Sequence, residues 1–159
     1  LSALCYTHRA RTGSDNNKES GMDLSHTLTD INWIAVVVAT VAAFALGGLW
    51  YSKALFGDIW MQEVGLTEEA VNNANMPMTF GGTFVLQLIA TIALAAFLGA
   101  DSPWLTGLET GITDGLVWVA TAYGVTYLFE QRPLRLFLIN AGYYVVLYAI
   151  VGTVLGAWR

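Results

Sequence analysis

Asp114 is the residue of this chain whose position most strongly suggests chemistry. It lies in an apolar stretch, residues 108–129, whose only other acidic or basic residue is Glu109. An ionisable group inside a membrane span is costly and by default a functional hypothesis. In this reading Asp114 binds a cation or a proton at a helix interface. In the alternative reading, the span begins near Gly115 and Asp114 lies at the level of the lipid headgroups.

A second set of candidate residues is aromatic and lies beside basic residues in the sequence. As a belt, these aromatic side chains anchor helices at the membrane surface. As a site, they form the apolar mouth of a pocket for a lipid or small amphiphile, with Arg132 and Arg135 attracting a phosphate or carboxylate. Asn140 also suits a hydrogen bond between helices. The candidate ligand-binding residues are Trp50, Tyr51, Phe56, Trp60, Asp114, Arg132, Asn140 and Tyr144.

Conventional catalytic and metal-binding patterns are missing from the sequence. The histidines are His8 and His26, both outside the apolar stretches, and Cys5 is the single cysteine. We therefore expect no metal site, no cofactor and no catalytic set. An enzyme acting at the membrane surface through Asp58, Glu63 or Glu130 stays open as an alternative, although no pair of base and nucleophile is visible.

Four apolar stretches must position these residues. They cover residues 33–52, 80–100, 108–129 and 136–158, and each reaches the roughly 20 residues that a membrane-spanning helix needs. The chain is 55% hydrophobic and 12% charged. We predict an all-α fold, a bundle of four transmembrane helices with one longer interfacial loop between helices 1 and 2. Residues 22–159 form this domain, and the polar residues 1–21 are predicted to be a disordered extension or an appended tail.

Small residues recur every four positions along these stretches, which allows close approach of helix backbones in lipid. They predict the faces on which the helices pack, and they also favour a homo-oligomer or a membrane-protein partner. The net charge of −5 without a basic stripe argues against nucleic acid as a partner. The predicted packing residues are Ala35, Ala39, Ala43, Gly47, Gly107, Gly111, Gly115, Gly152 and Gly156.

Basic residues near the predicted spans suggest an orientation. Lys53, Arg132 and Arg135 fall in or beside the first and third loops. By the positive-inside tendency these loops face the cytoplasm and both termini lie outside. If the polar tail belongs to the protein, its own basic residues nearly cancel this difference.

Several short motifs resemble those of a known family. They are Asn32-Trp33, the run Leu49 to Ser52, Phe56-Gly57 with Trp60, and the stretch from Leu128 through Pro133 and Asn140 to Tyr143. From about residue 24 to its end, the chain resembles a family of small bacterial four-helix membrane proteins, a domain of unknown function. The resemblance implies a multi-pass protein of the bacterial inner membrane and supplies no catalytic residues.

Three functions remain open at this stage. The leading hypothesis is an inner-membrane protein that works as an oligomer or accessory subunit and binds membrane lipids or a small amphiphile. The second is a transporter of a small solute or ion that uses Asp114. The third is the membrane-embedded enzyme.

Overall fold

The computed structural model describes residues 30–99 and 102–158, and within these ranges the chain is helical and contains no strand. The all-α class is therefore confirmed for the described residues. The predicted extension, residues 1–21, lies outside them.

The helices follow one another with short connections. Their bounds are α1 Trp33–Trp50, α2 Gly57–Val64, α3 Glu68–Asn72, α4 Met76–Leu98, α5 Trp104–Thr113, a π-helix Asp114–Ala120, α6 Thr121–Phe129 and α7 Leu134–Ala157. The predicted interfacial loop between the first two spans contains α2 and α3.

Three of these helices, α1, α4 and α7, are long and apolar enough to cross a membrane. The remaining predicted span runs through α5, the π-helix and α6 without an intervening loop. Its change of hydrogen-bonding pattern divides it into elements that are each too short to cross alone. We call residues 104–129 the third segment.

Side-chain caps explain where several helices begin. The Asn32 Oδ1 atom accepts hydrogen bonds from the backbone N–H groups of Ile34 and Ala35 at the start of α1. Thr67 caps α3 through the N–H of Ala70, as its hydroxyl followed by two glutamates predicts. Asn75 caps α4 in the same way, so this helix begins at Met76 rather than at residue 80.

The third segment packs directly against α7 through glycines. A methyl group added at Gly107 would overlap the carbonyl oxygen of Gly152, and one added at Gly111 would overlap that of Tyr148. At Gly115 the added carbon would lie 2.7 Å from the Cα atom of Val145. Farther along, Gly156 faces Pro103 in the same close manner. The two backbones touch because at least one residue of each contact is a glycine, and at Gly107 and Gly152 both are.

Helix α1 packs on the opposite side of α7 through its alanines. Ala35, Ala39 and Ala43 are buried, and a shared core cluster joins Ala39 and Ala43 to Leu147 and Val151. Gly47 lies beside the hydroxyl of Tyr143. With neighbours on two sides, α7 is the central helix of the described fold.

Contacts at both helix ends show that α1 and α7 run antiparallel. The Asn32 amide donates to the carbonyl of Trp158, at 3.3 Å. The Trp50 indole N–H donates to the carbonyl of Ile139, at 3.2 Å. We call the end that holds Trp50, Ile139 and the turn at residues 130–133 the loop end.

The glycine contact predicts a large effect of one substitution. Gly111→Leu should destabilise the protein by about 1–3 kcal/mol or more, because the new side chain meets the backbone of Tyr148. Thermal unfolding in detergent measures this. Ile112→Leu, at a neighbouring exposed position, is the matched control and should be nearly neutral. Equal losses of Tm would show that the helix face is assigned wrongly.

The tight turn after α1 makes a second prediction. A Cβ atom at Gly57 would lie 2.5 Å from the carbonyl oxygen of Tyr51 and 2.7 Å from the carbonyl carbon of Ser52. Gly57→Ala should therefore cost roughly 1–3 kcal/mol of stability. Gly48→Ala, which meets nothing within 4 Å, should be neutral or slightly stabilising. A thermal melt of Gly57→Ala matching that of Gly48→Ala would contradict the close approach.

Candidate functional site

Asn140 is the centre of a polar cluster at the loop end. This side chain is buried, with 7% of the residue exposed. Its Oδ1 atom accepts a hydrogen bond from the Tyr51 hydroxyl at 2.9 Å, and its Nδ2 atom donates to the Tyr127 hydroxyl at 2.7 Å. The expected hydrogen bond from Asn140 to a neighbouring helix is thus confirmed, and it joins the end of α1, α6 and α7.

Aromatic rings fill the space on the α1 side of this cluster. The Tyr51 ring packs edge-on against Trp60 at 5.4 Å between centroids and against Tyr143 at 5.1 Å. Trp50 packs on Phe56 at 4.9 Å. These residues hold one another in place and line no part of the groove described below. They brace Asn140 from one side.

Tyr144 belongs to a second group of hydroxyls next to the first. Its hydroxyl lies 3.4 Å from that of Tyr123, and the two rings are 5.3 Å apart. Tyr123 also packs edge-on against Tyr127, at 5.5 Å. Tyr123 is not among the site residues predicted from the sequence. The four-residue spacing of Tyr123 and Tyr127, matching that of Asn140 and Tyr144 on α7, is the signal that would have found it.

A groove opens on the other side of Tyr127, between α6 and the beginning of α7. Its volume is about 380 Å³. The lining is largely apolar, and a Cβ atom added at Gly124 would lie 3.4 Å from the ring of Phe137, an ordinary contact distance. The lining residues are Gly124, Tyr127, Leu128, Gln131, Arg132, Leu134 and Phe137.

The turn after α6 places Arg132 at the groove. Gln131 adopts a left-handed conformation with φ of 55°, and the Arg132 N–H donates to the Tyr127 carbonyl at 2.9 Å. These features form the αL helix ending known as a Schellman motif. The Arg132 Nε atom lies 3.2 Å from a carboxylate oxygen of Glu130, and both side chains are partly exposed.

Two further ion pairs lie at the loop end. An Arg135 terminal nitrogen lies 3.8 Å from a carboxylate oxygen of Glu63, which joins α7 to α2. Lys53 pairs with Glu68, and this contact raises the pKa of the lysine and lowers that of the glutamate. Glu63 and Glu130, two of the carboxylates considered for an interfacial enzyme, are therefore engaged with arginines.

Asp114 stands apart from the loop-end residues. It begins the π-helix, it is half-buried, and it directly precedes Gly115, the residue in contact with Val145. Within residues 30–99 and 102–158, histidine, cysteine and acidic side chains form no group of three that could hold a metal ion. The structure thus gathers Trp50, Tyr51, Phe56, Trp60, Asn140 and Tyr144 at one end, places Arg132 on the adjoining groove, and leaves Asp114 apart from both, midway along the third segment.

Comparison with known proteins identifies the family of this chain. A family model described as "Protein of unknown function (DUF1761)" matches residues 34–156. No curated protein and no solved structure matches the chain. The matched region runs from α1 to the last turn of α7 and includes the polar cluster, the groove and Asp114. The chain therefore belongs to the DUF1761 family of proteins of unknown function, as its motifs indicated.

Proposed function

We propose that this protein is a multi-pass membrane protein that binds an anionic amphiphile in the groove at its loop end. The main support for this function is the groove itself, an apolar recess with an arginine on its wall. Ligand sites are typically concave and mostly apolar, with a few polar groups that fix the orientation of the ligand. This recess has that composition.

The proposal places all four long helical segments across the membrane. Support for the third segment comes from its contacts with α7, which extend from Gly107 opposite Gly152 to Gly124 beside Phe137. Helix α7 is itself long and apolar enough to cross. A segment that lies along α7 over this length crosses with it. Its backbone hydrogen bonds stay internal, as the lipid interior requires.

The groove then opens at the depth of the lipid headgroups. Leu128 and Leu134 on its wall are largely exposed and would face acyl chains. Arg132 binds Glu130 through Nε, so its terminal nitrogens can reach a phosphate or carboxylate. An acyl chain along Phe137 would contact the apolar wall of the groove, and a negative headgroup would pair with Arg132.

The remaining cellular assignments are also proposals. Lys53, Arg132 and Arg135 lie at or near the loop end, which favours a cytoplasmic loop end and outside termini in a bacterial inner membrane. The protein would work as a homo-oligomer or as a subunit beside another membrane protein. Most of the small-residue faces of α1, α5 and α7 already pack within the chain. Contacts with another subunit would therefore use α4, where a Cβ atom added at Gly81 or Gly82 meets nothing within 4 Å.

Native mass spectrometry in mild detergent, with titrated anionic and zwitterionic lipids, tests the headgroup contact. Arg132→Gln should weaken anionic-lipid binding roughly tenfold or more, because a hydrogen bond to a charged group contributes about 1.5–3 kcal/mol. The Tm should barely change, since an exposed ion pair contributes about 0–1 kcal/mol. Lys53→Gln removes a cation whose partner is Glu68, outside the groove, and should leave binding unchanged. If Arg132→Gln unfolds the protein while lipid binding persists, the headgroup assignment is wrong.

The apolar part of the groove is tested separately. Gly124→Leu places a side chain beside the Phe137 ring and should reduce binding of anionic and zwitterionic lipids alike, because it fills the space of the acyl chain. Gly82→Leu, at a position with nothing within 4 Å, controls for the added leucine. Undiminished lipid binding by Gly124→Leu would locate the bound lipid elsewhere. The same spectra report the number of copies in the complex.

A further inference from the structure

The acidic side chain of Asp114 has no basic counterpart inside the bundle. Residues 33–50, 76–98 and 104–129 contain no lysine, arginine or histidine, and α7 contains only Arg135, near its start. Trp104 and Asp114 are ten positions apart in the sequence, which corresponds to about 15 Å of helix. In the proposed four-span placement this is the middle of a hydrocarbon core about 30 Å thick.

A carboxylate at that depth must be neutralised. An isolated buried charge is so unfavourable that the group takes up a proton or pairs with a cation instead. No side chain of the surrounding helices supplies the cation. Asp114 lies between Gly111 and Gly115, which meet α7 at Tyr148 and at Val145, while α1 and α4 carry no titratable side chain. Its own segment contributes Glu109, which is exposed, and Tyr123.

Hydroxyl groups are spaced between this depth and the loop end. Asn140, Tyr144 and Tyr148 recur every four residues along α7 and therefore follow one side of the helix. Tyr144 meets the Tyr123 hydroxyl at 3.4 Å. Tyr123 packs on Tyr127, whose hydroxyl is bonded to Asn140. Phenylalanine would fill the same space, so packing alone does not account for this row of polar groups.

We propose that Asp114 is a proton-binding carboxyl group that exchanges its proton with the loop end along the row formed by Tyr148, Tyr144, Tyr123 and the Asn140 cluster. This inference rests on the four-span placement but not on the lipid groove. A hydronium ion in the water at the loop end gives up the proton and is left as water. Each tyrosine oxygen in turn accepts a proton and releases its own toward Asp114, with water bridging the hydroxyls that do not touch, so no net charge stays on any tyrosine. The carboxylate gains one proton and becomes neutral. Rotation of the hydroxyls restores the original arrangement.

Infrared difference spectra of the protein in lipid bilayers, recorded between acidic and alkaline buffer, test the carboxyl group. Wild type should show a protonated-carboxyl C=O band that titrates and that Asp114→Asn abolishes. Glu109→Gln, which removes the exposed carboxyl of the same segment, should retain it. Absence of a titrating band assigned to Asp114 overturns the proposal. So does a sodium-dependent shift of the titration midpoint, which would show that Asp114 holds a metal cation.

The row of hydroxyls is tested by the rate at which the band appears after a pH jump. The double substitution Tyr123→Phe with Tyr144→Phe keeps both rings and removes two hydroxyls. It should slow the appearance of the Asp114 band at least tenfold and leave its final amplitude unchanged. Phe44→Tyr does not alter the row and controls for aromatic substitution. An unchanged rate in the double variant overturns the proposed route.

The four-span placement is tested independently of these spectra, by cysteine labelling. In a Cys5→Ser background, Thr113→Cys should resist a membrane-impermeant maleimide, whereas Gln131→Cys in the loop-end turn should react. Rapid labelling of both would show that Asp114 lies in water, and this would overturn the placement together with the inference. Resistance of Thr113→Cys combined with an unchanged exchange rate would overturn the hydroxyl route alone.

Discussion

The close contact between the backbones of α5 and α7 is the constraint on which the rest of the described fold depends. Gly107 and Gly152 approach until neither has room for a methyl group. In lipid, water exclusion does not drive helices together, so such packing supplies much of their association. Once the third segment follows α7, Tyr127 and Tyr123 come to lie opposite Asn140 and Tyr144. The polar cluster at the loop end is thus a result of glycine contacts near the other end.

The features that could be predicted from the sequence depend on short-range spacing. The alanines of α1 and the glycines of α5 recur every four residues, and in the structure these positions form helix contacts. Asn140 is polar within an apolar stretch, and this position predicts a hydrogen bond to another helix. Thr67 followed by Glu68 carries the signature of a helix start. In each case a few neighbouring residues contain the whole signal.

The features that could not be predicted depend on which helix packs against which. A stripe of small residues shows that a face is packed closely but not against which helix, so the same glycines also suggested contacts between copies. The aromatic residues Trp50 and Phe56 were compatible with both a membrane belt and a pocket, and the structure packs them together. The groove is formed by α6 and α7 across a turn. Its shape depends on Gly124 and Phe137, which no local motif connects.

The π-helix decides which way the last part of the third segment faces. In an uninterrupted α-helix, residues four apart drift by about 40° around the axis at each step. Five such steps separate Gly107 from Tyr127, which would turn Tyr127 to the side opposite Gly107. The wider turns of Asp114–Ala120 absorb much of this rotation, and both residues contact α7. Removing a single residue from this stretch would therefore leave the contacts of Gly107 and Gly111 in place and rotate the tyrosines away from α7.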